Sequence, residues 1–546
     1  MKNFEIKQFR QQFPILKTNV NHHPLIYLDN GATTQKPQCV INEQNDVYCL
    51  SNANVHRASY QLAAEATAKF EQARITVQQF INASKSSEII WTKSCTESIN
   101  LVAHSWGSNQ LNKGDVIVLS YGEHHANIVP WQIVAEKTGA VIKVLPLNKQ
   151  GTIAIESLVD IICEKTKIVC VSHISNVIGK INPINKIIAR AKSVGALTLI
   201  DGAQAVANIS VDVQALDCDF YVFSAHKMYG PTGVGVLFGK AHLLDSMPPY
   251  QAGGEMIEHV SFSGTSYQPL PFKFEAGTPN ISGVIAFSRA IEFINEYQLT
   301  NTHEYKKTLL NYAFERLSSV PTLKFIVEGK PDIALFSFTL AENLQDVASQ
   351  LDLFGISVRV GRHCAMPLFE FLNINGCIRL SLAPYNTLSE VDVVVDKLTY
   401  LSNIKDSAVK QAQDNAGVQE IISTFRQLKG WDTKHRELML LGKKLPRMPK
   451  SKRSDSTLIQ GCESAAWLTY SKDINHLYYF QTDSDAKIIR GLLAVVLLAF
   501  NGKSAAEILN FDINNYFSQL GLLKHLSPSR GNGLLAIVDK IKSIVS

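Results

Sequence analysis

The chain has 546 residues, 46% hydrophobic and 18% charged, with 53 Lys and Arg against 48 Asp and Glu and a net charge of +5. That length calls for more than one core, and the apolar content excludes a disordered chain. Nine cysteines occur without CxxC pairs or zinc-like Cys/His spacing, which argues against a metal site and against a secreted disulfide framework.

Read from the start, Met1-Lys-Asn-Phe-Glu-Ile-Lys7 mixes both charges and lacks the apolar centre of a signal peptide, so a cytoplasmic location is expected. The pair His56 and Arg57, in Asn52-Ala-Asn-Val-His-Arg57, is expected near a substrate mouth. Ser94-Cys-Thr-Glu-Ser98 precedes an apolar-periodic stretch, which puts Thr96 where a helix begins; a hydroxyl and free backbone N–H groups there suit a phosphate.

Four apolar runs follow, over 116–119, 168–171, 197–200 and 220–223, and they predict an α/β fold with an open parallel sheet. The polar residues at or beyond their ends are His124, Asn176, Asp201, and then Ser224, His226 and Lys227. Strand ends in such a sheet converge on one ligand crevice. Lys227, directly before the glycine-rich turn Gly230-Pro-Thr-Gly-Val-Gly235, sits where a pyridoxal phosphate enzyme holds its Schiff-base lysine. Asp201 can pair with the pyridine nitrogen, His124 can stack on the ring, and Ser224 and His226 add donors. The glycine pattern lacks the Lys-Ser/Thr ending of a P-loop.

Further along, Cys364 lies in Arg359-Val-Gly-Arg-His-Cys-Ala365, where neighbouring Arg and His are expected to favour the nucleophilic thiolate. Arg379 suits a carboxylate clamp, with Asn176 and Arg359 as helpers. Cys39, Cys49, Cys163, Cys170 and Cys218 read as small buried apolar side chains. Near 403–417 the apolar periodicity fades into a linker or a frayed helix extension, giving expected domains of 1–404 and 418–546 with a linker at 405–417. The basic strip from Lys443 to Arg453 reads as a solvated loop or a docking strip for an acidic partner; no aromatic residues interleave with it, which argues against nucleic acid. The apolar run from Gly491 to Phe500 is half a membrane span and is expected to be a buried helix, so no membrane partner is expected.

Several segments together carry a resemblance. Tyr27-Leu-Asp-Asn-Gly-Ala-Thr33, Glu123-His-His-Ala-Asn-Ile-Val-Pro-Trp131, His173-Ile-Ser-Asn-Val-Ile-Gly179, Asp201-Gly-Ala-Gln204, the Lys227 turn, Phe274-Glu-Ala-Gly-Thr-Pro-Asn280 and Arg362-His-Cys-Ala-Met-Pro367 resemble the SUF/CSD-type cysteine desulfurases over most of residues 1–404. The resemblance implies the class-V aminotransferase, PLP fold-type I architecture: a mainly parallel large domain with a small α+β domain. It implies that Lys227 carries pyridoxal 5'-phosphate, His124 stacks on it, Asp201 meets its nitrogen and Gln204 its phenolic oxygen. Thr96, Ser224 and His226 would hold its phosphate, and Thr278 would reach the phosphate of a neighbouring subunit in a homodimer. L-cysteine would become L-alanine, with the sulfur left as a persulfide on Cys364. Val360 stands where many relatives have threonine.

From Val418 the chain resembles the SufE-like sulfur acceptors, small α+β proteins, through Gly461-Cys-Glu-Ser-Ala-Ala-Trp467, Asp483-Ser-Asp-Ala486, Phe511-Asp512 and His525-Leu-Ser-Pro-Ser-Arg-Gly531. By that likeness Cys462 accepts the sulfur, Arg530 lies in a matching motif, and Ala465 and Ala466 replace longer side chains or valine. An iron–sulfur scaffold or another thiolated acceptor would follow. Selenocysteine lyase or transaminase chemistry is the nearer rival, opposed by the SufE-like tail. A non-catalytic sulfur-transfer scaffold is the more distant one, opposed by the retained Lys227, Asp201, His124, Cys364 and Arg379.

Overall fold

The computed structural model describes residues 4–545 apart from 58, 299–301, 412–415, 429, 450–451, 455–456, 460–464, 474–475 and 523–527. It divides into two compact units, Met1–Ser402 and Asn403–Ser546.

The first unit is organised by a seven-stranded sheet. Its strands are β1 (Ile89–Thr92), β2 (Val116–Ser120), β3 (Val141–Leu145), β4 (Thr166–Ser172), β5 (Leu197–Asp201), β6 (Phe220–Ser224) and β7 (Gly235–Gly239), in the spatial order β1-β7-β6-β5-β4-β2-β3. Only β7 runs against its neighbours; the other pairs are parallel. The apolar runs are continuous because both faces are covered. Ile117, Leu119, Ile168, Cys170, Leu199 and Val222 enter one core, while Val116, Val118, Val169, Val171, Ile200 and Tyr221 enter the other. A strand buried on both faces has no place for alternating polar residues.

A smaller antiparallel sheet follows in the same unit. It is formed by β8 (Lys324–Phe325), β9 (Leu335–Thr339), β10 (Arg359–Gly361) and β11 (Cys377–Ser381) in the order β8-β9-β11-β10. Its register sets Arg359 directly opposite Arg379. Phe336, Phe338, Ile378 and Leu380 pack it into a separate core with Val394 and Leu398. Val360, in β10, is half-buried against that core, a place a valine fills without needing the hydroxyl of threonine.

The backbone of 405–411 continues the helix Leu388–Gln411, and a further helix, Ala416–Gln427, follows the undescribed 412–415. Residues 403–411 contain neither glycine nor proline, so nothing in them stops a helix.

The second unit pairs an antiparallel hairpin, β12 (Ala466–Lys472) with β13 (Tyr478–Ser484), against helices. The helix Lys487–Phe500 holds the long apolar run and is buried along nearly its whole length. Two arginines of the basic strip are spent inside this unit. Arg447 and Arg453 reach the fully buried Asp483 at 3.4 and 2.6 Å, and Arg490 pairs with it too. A buried carboxylate needs such partners; burial pushes the Asp483 carboxyl up, but hydrogen bonds from the Met448 and Ser484 backbone N–H groups, with the charges of Arg490 and Arg453, hold it below the usual carboxylate range. Among the described residues no helix is long and apolar enough to cross a membrane.

The helix Lys487–Phe500 approaches the helix Trp431–Lys444 closely at Gly491, where an added Cβ would stand 2.2 Å from the Leu438 carbonyl oxygen. Gly491→Ala is therefore expected to force the helices apart and cost the second unit about 2 kcal/mol. Thermal unfolding of the wild type and variant measures this, and an unchanged transition would contradict the close packing.

Candidate active site

A cavity of about 230 Å³ opens where β2, β4, β5 and β6 end, and it is lined by residues from both sheets of the first unit. Asp201 is the last residue of β5 and is buried. Its Oδ1 accepts hydrogen bonds from the Ala203 backbone N–H (2.9 Å) and from the Cys95 thiol (3.3 Å). Burial and the nearby Asp201 charge push the Cys95 thiol well above its ordinary pKa, so it stays protonated and donates.

Cys95 opens the helix Cys95–Val102, whose N-cap is Ser94; the Ser94 hydroxyl accepts from the Glu97 N–H. The Cys95 N–H donates to Ser224 Oγ at 2.7 Å, leaving the Ser224 hydroxyl hydrogen available to donate. Thr96, Ser224 and His226 line the same end of the cavity, beside this helix N-terminus. Such an end favours an anion.

Lys227 follows β6 through a single 3-10 turn, Ala225–Lys227. Burial lowers its pKa, with Asp201 pulling the other way, so the amine loses its proton more readily than a surface lysine does. His124 caps the turn after β2, its Nδ1 accepting from the Ala126 N–H at 3.1 Å, which leaves the proton on Nε2. Burial, helped by the Lys227 charge, lowers His124 to about 4, so its ring is neutral.

Glu123, beside it, is fully buried and accepts from Ser120 Oγ, Asn127 Nδ2 and the Ser172 N–H at 2.5, 2.8 and 3.1 Å. These bonds tie the turn that carries His124 to the end of β4. Burial nevertheless raises its pKa to about 7. Gln204 Nε2 donates to the Gly31 carbonyl at 2.7 Å, bringing the N-terminal segment to the cavity wall.

Cys364 is exposed at the mouth, on a four-residue connection between β10 and the helix Met366–Phe371. His363 and Cys364 both adopt left-handed backbone angles, φ 45° and 56°. The large domain holds the connection at both residues: Asn176 Nδ2 donates to the His363 carbonyl (2.9 Å), and the His125 N–H donates to the Cys364 carbonyl (2.7 Å). The imidazole of His363 turns inward to Cys377, and burial, with Arg379, lowers its pKa to about 3. Contrary to the sequence expectation, it brings no positive charge to Cys364.

Arg379 is buried, donating to the Asn176 carbonyl and to Asp29 Oδ1, each at 2.9 Å. Its Nε has no partner, and Arg359 stands 3.7 Å from the other oxygen of Asp29. Two guanidinium groups share one carboxylate, so one positive charge is left over for a ligand carboxylate.

Eleven of the residues singled out in the sequence thus line one cavity: Lys227, His124, Asp201, Gln204, Thr96, Ser224, His226, Asn176, Arg359, Arg379 and Cys364. Thr278 lines a different cavity of about 360 Å³. Cys462 lies outside the described residues, as does the Arg530 side chain. His56 and Arg57 pair with Glu71 (3.0 Å) and Glu255 (3.1 Å) and do not line the Lys227 cavity. Sequence reading passed over Asp29, Glu123 and Cys95 as actors, although each lies inside a quoted motif, because their roles depend on partners far away in the chain. The donor set fits pyridoxal phosphate: an amine with a lowered pKa, a buried carboxyl, and hydroxyls at a helix N-terminus.

Residues 26–394 match the family described as aminotransferase class-V, and residues 419–545 match SufE, described as an Fe-S metabolism associated domain. A cysteine desulfurase of Cronobacter sakazakii is 47% identical over 395 residues, covering 72% of this chain and 97% of that protein. One from Escherichia coli K12 is 46% identical over 397 residues, covering 72% and 98%. Among solved structures, the E. coli cysteine desulfurase CsdA, in an S-sulfonic acid form, matches with a TM-score of 0.69 at 40% identity over 73% of this chain and 99% of that one. The Thermococcus onnurineus cysteine desulfurase matches with 0.69 at 34% identity, over 74% and 100%.

Of the five cysteines expected to be buried only Cys170 and Cys218 are; Cys39 and Cys163 are half-buried and Cys49 is exposed, as is Cys364, while Cys95 and Cys377 are buried too. Brief alkylation with iodoacetamide followed by peptide mass spectrometry is expected to label Cys49 and Cys364 and to reach Cys95, Cys170, Cys218 and Cys377 only in denaturant. Early labelling of Cys95 would contradict its bond to Asp201.

Proposed function

The chain belongs to the aminotransferase class-V family, as a cysteine desulfurase that carries a C-terminal SufE domain, and we propose how its residues divide the work. L-cysteine enters the Lys227 cavity, its sulfur passes to Cys364, and from there to Cys462. The observation that carries this reading is the single cavity shared by Lys227, Asp201, Arg379 and an exposed, anchored Cys364.

Thr96, Ser224 and His226 would hold the phosphate of pyridoxal 5'-phosphate and Asp201, Gln204 and His124 its ring, and the cofactor would supply an electron sink for the amino acid. Arg379 takes the substrate carboxylate, using the charge that Asp29 leaves uncompensated, with Arg359 behind it and Asn176 holding the guanidinium in place. Lys227, easily deprotonated, moves protons at the substrate's α- and β-carbons; neutral His124 is placed to assist through Nε2–H. Cys364 as the thiolate bonds to the substrate sulfur. The carbon–sulfur bond breaks, its electron pair stays with carbon, and that carbon takes up a proton to give alanine. Thiol–disulfide-type exchange then moves the sulfur from the persulfide to the Cys462 thiolate, with Cys364 leaving as its own thiolate.

A homodimer, with Thr278 serving the neighbouring subunit's phosphate, is part of the proposal. So is delivery of the sulfur to an iron–sulfur scaffold in a reducing cytoplasm, where free thiols survive. The resemblance of the Thr278 segment supports the first, and the SufE match supports the second.

Exposure of the holoenzyme to L-cysteine without reductant, followed by peptide mass spectrometry, is expected to find one added sulfur on the Cys364 peptide and on the Cys462 peptide. Cys364→Ala is expected to keep the bound cofactor's absorbance while losing about two orders of magnitude or more in alanine formation; turnover at the wild-type rate would end this assignment.

Arg379→Lys keeps a charge but loses the fork and the link to Asp29. It is expected to raise KM for L-cysteine by about tenfold or more while the cofactor remains bound. Steady-state alanine production against cysteine concentration measures it, and an unchanged KM would place the carboxylate elsewhere.

A further inference from the structure

We propose that a second cavity in the first unit, walled by Phe9, Tyr229, Phe293, Ile294 and Pro384 with Lys306 at its polar end, binds a small monocarboxylate that has an apolar body and no amino group. The cavity has a volume of about 300 Å³, at the lower end of the range of about 300–1,000 Å³ in which small-molecule sites fall. Its composition matches such sites, which combine mostly aromatic and aliphatic walls with a few polar groups that fix orientation.

Lys306 is the unusual component. It is half-buried; its Nζ donates to the Ala207 carbonyl at 2.9 Å, and among the described residues no carboxylate pairs with it. Lysines that lose water are ordinarily paired. Here burial alone acts, lowering the group to about 8. Among the described residues, the other titratable side chains around the cavity are Tyr229, Tyr297 and His303, none of them an acid able to balance an ammonium near neutral pH. One hydrogen of the ammonium is used by Ala207, and two remain to be given.

The charge arrangement selects the ligand class. A carboxylate would pair with the two free ammonium hydrogens while its body lies on the Phe293 and Tyr229 rings. An α-amino acid such as cysteine or alanine would bring an ammonium of its own into a cavity lined, among the described residues, by no carboxylate, and would lose its hydration without a partner. The site is therefore not a second copy of the cysteine site, whose clamp at Arg379 belongs to a different cavity.

It lies close to that cavity all the same. Ala207, Asn208 and Tyr229 line it on one side and on the other line a narrow crevice that also touches Gln204 and Lys227. Asn208 Nδ2 donates to the Gln204 carbonyl at 2.8 Å, so the segment forming the cavity floor is continuous with the one that faces the cofactor site.

Benzoate is the probe, titrated calorimetrically into the full-length holoenzyme and into Lys306→Met, with benzamide as the uncharged counterpart. Saturable binding of one benzoate per chain is expected, weakened about tenfold or more by Lys306→Met, as loss of a charge-assisted hydrogen bond implies, with benzamide giving no saturable signal over the same range. Crystals of the unaltered holoenzyme soaked in 4-bromobenzoate provide a reading that does not depend on the variant folding: anomalous bromine density is expected between Phe293 and Lys306. No saturable binding to the unaltered protein, equal binding by Lys306→Met, or bromine density only in the Arg379 cavity would overturn the proposal.

Discussion

Parallel strands all end on the same edge, and in this protein that edge is the constraint from which the rest follows. A parallel sheet covered on both faces leaves polar side chains nowhere to go except its ends. Asp201 is the last residue of β5, Ser224 the last of β6, and His124 and Lys227 lie within a turn of β2 and β6. They are close because β5 and β6 are adjacent and only β4 separates β5 from β2, and they are poorly hydrated because the strands behind them are apolar. Partial desolvation then sets the chemistry: it makes the Lys227 ammonium easier to deprotonate and keeps His124 neutral.

The small sheet completes the site by register. Opposing Arg359 and Arg379 across β10 and β11 places two like charges side by side, which is tolerated because Asp29 arrives from the N-terminal segment to touch both. An arrangement with two cations and one anion is uncomfortable without a ligand and comfortable with an anionic one, which is how a binding site differs from a structural ion pair. The Asp483 cluster in the second unit also sets several arginines around one acid. There Arg447 is largely exposed, so water attenuates its charge, and the cluster serves to bury an acid.

Much of this could be read from the sequence because the informative residues stand beside periodic apolar runs. Lys227, Asp201, Ser224 and His124 were each legible from a strand ending just before them, and the helix from Lys487 to Phe500 from its unbroken apolar run. The partners of these residues were not legible. Nothing near Asp29 says that it will meet an arginine 350 positions later, and nothing near Cys95 says that its thiol will face Asp201. His363 shows the opposite failure. Its closeness in sequence to Cys364 suggested an electrostatic role, but a left-handed backbone at both residues points the imidazole inward. Of the two readings of the stretch near 403–417, a linker or a frayed helix extension, residues up to Gln411 follow the second: fading apolar periodicity signals loss of a buried face, and a helix survives that loss when no breaker is present.

The short connection carrying Cys364 has a consequence for traffic. With the carbonyls of His363 and Cys364 both fastened to the large domain, the backbone that carries the thiol is anchored in place. In the proposed relay such a donor behaves like a fixed berth: the recipient would do the travelling, and hand-over would be governed by how often the recipient's thiol docks at that one point and how long it stays.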